Sequence, residues 1–275
     1  MEHPGGRKKN KFSLLRLLML AVITCIACLT LAIYFSDILI FQPPRSGVAP
    51  DKAMTMLQVT PEIKIALLHL PLASSEYTIL YSHGNGEDLF DLKSFFADFN
   101  QRGYALMSYD YEGYGASQGQ PGEHNTYRDI EAVYRYMTTV LKIPPEKIII
   151  FGRSVGSGPS CYLAEKYPAA GLILQSPFLS TFKVMCPLPM PFDKFPNLSR
   201  IKSIKMPVLI MHGRLDTVIP FYHGKALFES AGQPKYFFEI PDAGHNDLEI
   251  KAGDRFWQEL GKFTTKTPRH KDLQG

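Results

Sequence analysis

The chain has 275 residues, of which 45% are hydrophobic, and a formal net charge of +4. A chain of this length and composition can form one large domain with a complete apolar core. The excess positive charge lies in residues 1–16, which carry five basic side chains against the single acid Glu2. The rest of the chain is balanced in charge, so we expect no binding of nucleic acid.

An uncharged apolar run at residues 17–35 follows this basic tail. Its length is sufficient to cross a bilayer as a helix. The alternatives are a cleaved secretory signal, whose apolar region is normally shorter, and a bacterial lipoprotein signal ending at Cys25 or Cys28. We favour an uncleaved signal-anchor in the membrane. The positive-inside rule then predicts a cytoplasmic N-terminus, with the following domain on the opposite side of the membrane.

Beyond a Pro- and Gly-containing linker at 36–54, apolar runs alternate with amphipathic stretches. The runs predict strands at 63–70, 77–82, 104–108, 147–151, 171–175, 208–211 and 236–240. The amphipathic stretches predict helices at 89–102, 126–141 with Thr126 as cap, 155–167, 222–230 and 247–263 with Asp247 as cap. This alternation predicts an α/β domain at 55–263, with a mainly parallel sheet flanked by helices. We expect residues 264–275 to form a loose polar tail.

A glycine-flanked serine, Ser154, is the most informative feature of this domain. It is the centre of Gly-Arg-Ser-Val-Gly at 152–156, between a predicted strand and a predicted helix. In that context Gly-x-Ser-x-Gly predicts a nucleophile elbow, a sharp turn that exposes the serine hydroxyl. Such a turn leaves no room for a side chain two residues before or after the serine. Ser154 is therefore the predicted nucleophile.

The same pattern occurs a second time at 115–119, with Ser117 at its centre. No strand is predicted directly before it, and a Gln-Pro-Gly turn follows it in place of a helix. The context therefore selects Ser154 and predicts that Ser117 is a loop residue.

Two further residues complete the predicted chemistry. A serine needs a base to take its proton, and the base needs an acid to orient it. On an elbow-bearing sheet these groups follow successive strands in the order serine, acid, histidine. Asp216 and His245 follow the last two predicted strands in that order. Singly, Asp216 could cap a helix and His245 could pack at a helix start, but together with Ser154 they predict a catalytic triad. Weaker candidates for the acid are Asp110, Asp242 and Asp247.

The oxyanion of a tetrahedral intermediate needs two N–H donors. An elbow supplies one from the residue after the nucleophile, which is Val155. The second is predicted in the Gly-containing loop at 82–86, with the backbone N–H of Asn85 as the donor. His83 precedes the nucleophile in the chain, so we expect it to be a buried support of this loop, and we expect structural roles for the other histidines. This chemistry requires no cofactor or metal.

Several stretches together resemble the α/β-hydrolase superfamily, over nearly all of residues 55–263. Within it the chain is similar to the α/β-hydrolase domain-containing protein 17 group and its membrane-anchored relatives. The stretches that carry this resemblance are 81–85, 108–117, 192–197 and 244–247. The resemblance places the catalytic serine, aspartate and histidine at Ser154, Asp216 and His245. It implies hydrolysis of acyl esters or thioesters, including removal of fatty acyl groups from protein cysteines.

A segment at 179–206 suggests the kind of substrate. Its prolines oppose regular structure, and its many apolar side chains offer an adaptable cover for an acyl chain. Phe182, Met185 and Phe192 are the predicted substrate contacts. The alternative is that these residues simply pack on the body of the domain. A general carboxylesterase or peptidase is the alternative activity, and a non-catalytic binding module on the same scaffold is disfavoured because no triad residue is missing.

Overall fold

The alternating stretches build one eight-stranded sheet in the computed structural model of the chain, which describes residues 8–44, 54–185 and 193–266. The strands are β1 (Met54–Gln58), β2 (Lys64–Leu70), β3 (Thr78–Ser82), β4 (Ala105–Tyr109), β5 (Ile148–Arg153), β6 (Gly171–Gln175), β7 (Val208–Gly213) and β8 (Lys235–Ile240). They lie in the order β1-β2-β4-β3-β5-β6-β7-β8. The strand β1, which begins at the last residue of the stretch interpreted as a linker and otherwise lies in the predicted domain, was not predicted.

The sheet is mainly parallel, as predicted. β1 pairs with β2 and β2 with β4 in antiparallel fashion, whereas β4, β3, β5, β6, β7 and β8 run parallel to one another. The residues that follow β3, β5, β7 and β8 therefore meet at one side of the sheet, which we call the carboxyl edge. In open α/β sheets this is the edge where ligands bind.

One helix precedes the first strand, and the other helices connect the strands or follow the last of them. They are α1 (Lys8–Ile40), α2 (Lys93–Gln101), α3 (Glu123–Arg135), α4 (Ser157–Lys166), α5 (Thr181–Met185), α6 (Asn197–Arg200), α7 (Tyr222–Ser230), α8 (Leu248–Ala252) and α9 (Asp254–Lys266). The chain divides into two compact units, Met1–Ile40 and Phe41–Gly275.

The helix predicted at 126–141 starts earlier and changes geometry before it ends. Because α3 begins at Glu123, directly after Gly122, the predicted cap at Thr126 is wrong. The Thr126 hydroxyl lies within the first turns and donates to the Glu123 carbonyl at 2.9 Å. Tyr136–Val140 continue as a π-helical turn, in which two threonine hydroxyls donate to carbonyl groups of the helix. Such bonds compete with the regular helical pattern.

Two other helices differ from their predicted bounds because of local hydrogen bonding and backbone shape. α2 starts four residues after the predicted position, because the Asp88 carboxylate accepts the N–H groups of Phe90 and Asp91 and holds a turn there. The last predicted helix is divided at Gly253, whose φ of +53° is unfavourable for other residues. Asp247 precedes α8 as predicted, but its carboxylate accepts the N–H of Gly244 and not one of the helix.

The segment predicted to be irregular contains two short helices, α5 and α6. α6 begins directly after Pro196, whereas residues 186–192, with the other prolines of the segment, fall outside the described residues. Proline therefore does not exclude regular structure from the described part of the segment. The fully buried Phe195 also shows that part of this segment packs on the body.

Aromatic side chains fill the core beneath β3 and β5. Tyr81 and Phe151 are fully buried and stack with their ring centroids 4.9 Å apart. Phe96 and Phe99 from α2 meet the Tyr81 ring edge-on. Burial of each such side chain contributes about 1.5–3 kcal/mol. These contacts fix the two strands that carry the loops of the carboxyl edge.

The first unit contains an apolar helix. Among the described residues, α1 is the one helix long and apolar enough to cross a membrane, over Leu14–Leu31 with a mean hydropathy of 2.5. The Thr30 hydroxyl donates to the Ile26 carbonyl at 2.8 Å, so this polar group is satisfied within the helix. The free thiols of Cys25 and Cys28 are exposed on the same helix. An anchor and a signal sequence both have these properties.

Candidate active site

The backbone at Ser154 forms the sharp turn that the sequence predicts. Ser154 directly follows β5 and has a φ of +52°, a conformation that non-glycine residues rarely adopt. A Cβ atom at Gly152 would lie 2.5 Å from the Gly156 carbonyl oxygen, and one at Gly156 would overlap the backbone of Ser82. The two glycines are therefore required for the close approach of the turn to β3 and α4.

The second serine motif has a structural role, as expected. The Ser117 hydroxyl donates to the Asp110 carbonyl at 2.7 Å and accepts the N–H of Ala66 at 2.8 Å. Ser117 therefore ties its turn to β2, and both of its hydrogen bonds engage the backbone.

The structure brings Ser154, His245 and Asp216 into one line of hydrogen bonds. His245 Nε2 lies 3.0 Å from Ser154 Oγ, and His245 Nδ1 lies 2.7 Å from Asp216 Oδ2. The three residues follow β5, β8 and β7, so the carboxyl edge assembles them from distant parts of the chain. Nδ1 carries the proton when it donates to a carboxylate, which leaves the Nε2 lone pair directed at the serine hydroxyl.

Asp216 is held in place through both carboxylate oxygens. Oδ1 accepts the N–H groups of Val218 and Ile219 at 2.9 and 2.8 Å, and Oδ2 faces His245 and His212. Burial opposes ionisation of this group, but the hydrogen bonds from the two histidines outweigh it and lower the pKa of Asp216. The carboxylate therefore stays charged and fixed in orientation beside His245.

His212 is a part of the site for which the sequence predicts only a structural role. It is fully buried in β7, and its Nε2 lies 3.4 Å from Asp216 Oδ2 and 2.9 Å from the Ile219 carbonyl oxygen. Both neighbours are acceptors, so Nε2 carries the proton. The spacing could have indicated this contact, because His212 is near the end of β7 and Asp216 follows four residues later, just after that strand.

The two predicted oxyanion donors lie on neighbouring loops of the carboxyl edge. Val155 is in the 3-10 turn Ser154–Gly156, and Asn85 is in the loop after β3. The side chain of Asn85 is itself engaged: its Oδ1 accepts the Tyr114 hydroxyl at 2.6 Å and the N–H of Gln42 at 2.8 Å. Oxyanion binding by the two N–H groups stays a prediction.

Arg153, next to the serine, joins the loops around it. Its guanidinium forms an ion pair with Glu87, whose other oxygen accepts the N–H of Gly84 at 2.7 Å. It also donates to Asn246 Oδ1 at 3.4 Å and lies 3.9 Å from Glu249. Arg153 therefore connects the elbow with the loops that carry Asn85 and His245.

His83 supports the loop after β3, as expected. It is fully buried, its Nδ1 lies 2.8 Å from the Gly84 carbonyl oxygen, and its own carbonyl accepts the Tyr111 hydroxyl at 2.6 Å. Burial lowers the pKa of His83 to about 4. The ring is therefore neutral at physiological pH. Asp110, a weaker candidate for the acid, lies 3.7 Å from His83 and not against His245.

Asp193 links the two described parts of the segment that is predicted to cover the site. Its carboxylate accepts the Phe182 N–H at 2.9 Å and the Ser180 hydroxyl. Phe182 is half-buried on α5, which ends at Met185. Phe192, the third predicted substrate contact, falls outside the described residues.

The fold and the site together define a class of protein. An esterase of Pyrococcus furiosus superposes with a TM-score of 0.68 over 82% of this chain and 99% of the esterase, at 18% identity. An esterase from Exiguobacterium antarcticum gives 0.61 over 77% of this chain and 99% of that chain, at 16% identity. The fold is that of the α/β-hydrolases, and the predicted fold class is confirmed.

Sequence comparison places the chain within that class. Residues 73–195 match the family described as serine aminopeptidase, S33. Alpha/beta hydrolase domain-containing protein 17B of Homo sapiens is 45% identical over 70% of this chain and 68% of that protein. The 17C protein of Mus musculus is 41% identical over 69% of this chain and 60% of that protein. The chain belongs to this α/β-hydrolase domain-containing protein 17 family of serine hydrolases, and the resemblance is confirmed.

Proposed function

We propose that the protein hydrolyses acyl esters or thioesters through a triad of Ser154, His245 and Asp216. The observation that most strongly supports this function is the unbroken line of hydrogen bonds from the Asp216 carboxylate through His245 to the Ser154 hydroxyl. That arrangement on an elbow is how a serine hydroxyl is activated for attack on a carbonyl carbon.

The reaction proceeds in two halves. In the first, His245 Nε2 takes the hydroxyl proton as Ser154 Oγ attacks the carbonyl carbon, and the N–H groups of Val155 and Asn85 bind the oxyanion. The intermediate then expels an alkoxide or thiolate, which receives the proton from His245 and leaves the acyl group on Ser154. In the second half water attacks in the same way, so the acid leaves and the serine hydroxyl is restored.

The surroundings of the site favour an apolar acyl group. Leu215 and Val218, on either side of Asp216, are both more than half exposed, and Phe182 lies on α5 in the segment predicted to cover the site. We propose that the acyl chain contacts Phe182, Met185 and Phe192. Together with the family resemblance, the apolar character of these residues favours fatty acyl groups, including those attached as thioesters to protein cysteines.

Catalytic efficiency is expected to rise with acyl length on ester and thioester substrates, because each buried CH₂ contributes about 0.8 kcal/mol. Only the part of this energy gained in the transition state raises kcat, so part of the rise will appear in KM. A double variant in which Phe182 and Phe192 are both replaced by Ala should show a smaller increase of kcat/KM with acyl length. Its hydrolysis of an acetyl ester should be nearly unchanged. The measurement is kcat/KM over a series of saturated acyl chains.

Val140→Ala is the matched control, because Val140 is an exposed apolar side chain in the π-helical turn before β5, away from the carboxyl edge. It should leave the length dependence unchanged. A wild-type efficiency that is flat or falls with chain length would eliminate the fatty-acyl specificity and leave a general small-ester hydrolase.

A peptidase is the second candidate, because the matched family is described as a serine aminopeptidase. An aminopeptidase must recognise a cationic N-terminal amine. Two carboxylates beside the elbow, Glu87 and Glu249, face the Arg153 guanidinium, so their charge is already countered. Hydrolysis of leucine p-nitroanilide but not of its N-acetyl form, at a rate above that of acyl esters, would favour the peptidase.

We also propose that α1 anchors the protein in a membrane, with the N-terminus in the cytoplasm and the hydrolase unit on the opposite side. The exposed apolar stretch Leu14–Leu31 and the basic residues before it support this arrangement. A secreted or lipid-anchored form, produced by cleavage near Cys25 or Cys28, is the competing arrangement.

The full chain is expected to stay in the membrane fraction after washing with alkaline carbonate, because extraction would expose an entire apolar span to water. Protease added to intact vesicles whose cytoplasmic face points outward should leave the hydrolase unit uncut until detergent is present. A mature N-terminus after residue 28 would contradict the anchor, and digestion of the unit without detergent would contradict the topology alone.

A further inference from the structure

The hydrolase unit begins with two residues, Phe41 and Gln42, that lie against the candidate active site. They follow directly after the last residue of α1, and we call them the lead-in pair. Gln42 bonds to the side chain of Asn85, one of the two proposed oxyanion donors, and Phe41 packs against Phe195 and Tyr114.

Phe41 contacts Phe195, a side chain that packs on the helix following Ser154. Its side chain is 3% exposed, and its ring centroid lies 6.0 Å from that of Phe195 and 6.4 Å from that of Tyr114. Phe195 in turn packs so closely on Gly158 of α4 that a Cβ atom there would overlap the ring. Phe41 therefore contacts the side chain that packs on the helix following Ser154.

Gln42 contacts Asn85 and Tyr114 through its backbone. Its N–H points at both Asn85 Oδ1, at 2.8 Å, and the Tyr114 hydroxyl oxygen, at 3.0 Å. The Tyr114 hydroxyl donates to the same Asn85 oxygen at 2.6 Å. The Gln42 carbonyl oxygen also lies near Gly86, which has a φ of +71°. A closed triangle of hydrogen bonds therefore holds the Asn85 side chain.

We propose that the lead-in pair and Tyr114 are positioning residues that hold the backbone N–H of Asn85 where an oxyanion forms. This inference rests on the proposed function. The peptide that carries this N–H is engaged on its carbonyl side, where the Gly84 oxygen lies 2.8 Å from His83 Nδ1, and it continues into the exposed Asn85. Two hydrogen bonds to the Asn85 side chain restrict that peptide before substrate binds, and preorganised donors are those that stabilise a transition state.

The lead-in pair, which follows α1 in the sequence, would therefore contribute to turnover. A break in the triangle should lower kcat and weaken the binding of a tetrahedral mimic, with a small effect on KM, because an oxyanion donor acts in the transition state. A merely structural role would lower stability and leave the ratio of mimic affinity to KM unchanged.

The test uses the full-length chain carrying Tyr114→Phe, which removes the hydroxyl and keeps the ring. We expect kcat for a short acyl ester to fall about 10-fold, a fraction of the ~10²–10³ that an entire oxyanion donor contributes. The affinity for a trifluoromethyl ketone mimic should fall in parallel. Tyr134→Phe is the matched control, because it removes a hydroxyl that bonds to the Pro168 carbonyl outside the site.

Two further variants separate the proposed role from general damage. Gln42→Pro removes the other donor and should reproduce the effect of Tyr114→Phe. In a chain that already carries Asn85→Ala, Tyr114→Phe should cause no further loss, since the shared acceptor is gone. If Gln42→Pro fails to fold, the Tyr114 and Asn85 variants alone decide the question.

If the wild-type protein is active and the Tyr114→Phe variant has the same kcat and the same affinity for the mimic, this inference is overturned and the proposed function still stands. A loss of kcat in Tyr134→Phe as large as that in Tyr114→Phe would overturn it equally. A wild-type chain that turns over no ester or thioester would overturn the proposed function, and this inference with it.

Discussion

Replacing Ser154 with Ala is expected to lower kcat for ester hydrolysis by about 10⁶-fold, the loss seen when the nucleophile of a serine triad is removed. The substitution removes the atom that attacks the carbonyl carbon and leaves His245 and Asp216 in place. KM should change far less, because substrate binding does not require the hydroxyl. The measurement is kcat and KM on a short-chain p-nitrophenyl ester.

Ser117→Ala is the matched control, because Ser117 stands in an identical sequence pattern but uses its hydroxyl for backbone hydrogen bonds. It should lower stability modestly, by about 1 kcal/mol for the lost hydrogen bonds, and keep kcat within a few-fold of the wild type. Retained activity in Ser154→Ala together with an inactive Ser117→Ala would overturn the proposed nucleophile.

Replacing Asp216 with Asn is expected to lower kcat by about 10⁴-fold, as the loss of the carboxylate does in other serine triads. An amide can donate to His245 Nδ1, which would move the ring proton to Nε2 and remove the base that faces Ser154. It would also confront the Nε2–H of His212 with a neutral partner. The measurement is kcat as a function of pH, with the fold checked by thermal unfolding.

Asp242→Asn is the control for this variant, because Asp242 lies in the same loop as His245 and is exposed. It should keep wild-type activity. A reversed outcome, with a large loss in Asp242→Asn and a small one in Asp216→Asn, would assign the acid to the other residue.

Sequence alone was sufficient to predict how Ser154, His245 and Asp216 come together. The reason is that each follows a strand that the apolar runs reveal, and the carboxyl ends of parallel strands meet at one edge. The requirement for glycine at 152 and 156 was also predictable, since the tight turn at Ser154 has no room for side chains at these two positions.

Contacts between buried polar side chains were less accessible to prediction. His212 shares the Asp216 carboxylate, yet a histidine in an apolar strand is usually only a satisfied core residue. The sequence does not indicate which acids Arg153 faces, because Glu87 and Glu249 are 66 and 96 residues away along the chain and meet it only in the folded structure. Gln42 is harder still, since its contribution is a backbone N–H that any residue except proline provides.

The predicted helix boundaries are wrong where a side chain competes for backbone groups or where a glycine adopts a positive φ. Asp88 accepts two N–H groups and delays α2, while Gly253 divides the last predicted helix. Hydrophobic periodicity extends across such points without a break, because the apolar face continues on both sides of them. The pattern therefore indicated the helices and not their ends.

The most direct test of the proposed mechanism is to locate the acyl group during turnover. Full-length protein is mixed with a long-chain acyl thioester, quenched in acid within one turnover, digested and examined by mass spectrometry. We predict that the peptide containing Ser154 gains the mass of the acyl group less one hydrogen, and that the gain is absent in Ser154→Ala. An acyl group on any other residue, or turnover that continues in Ser154→Ala, would contradict the account.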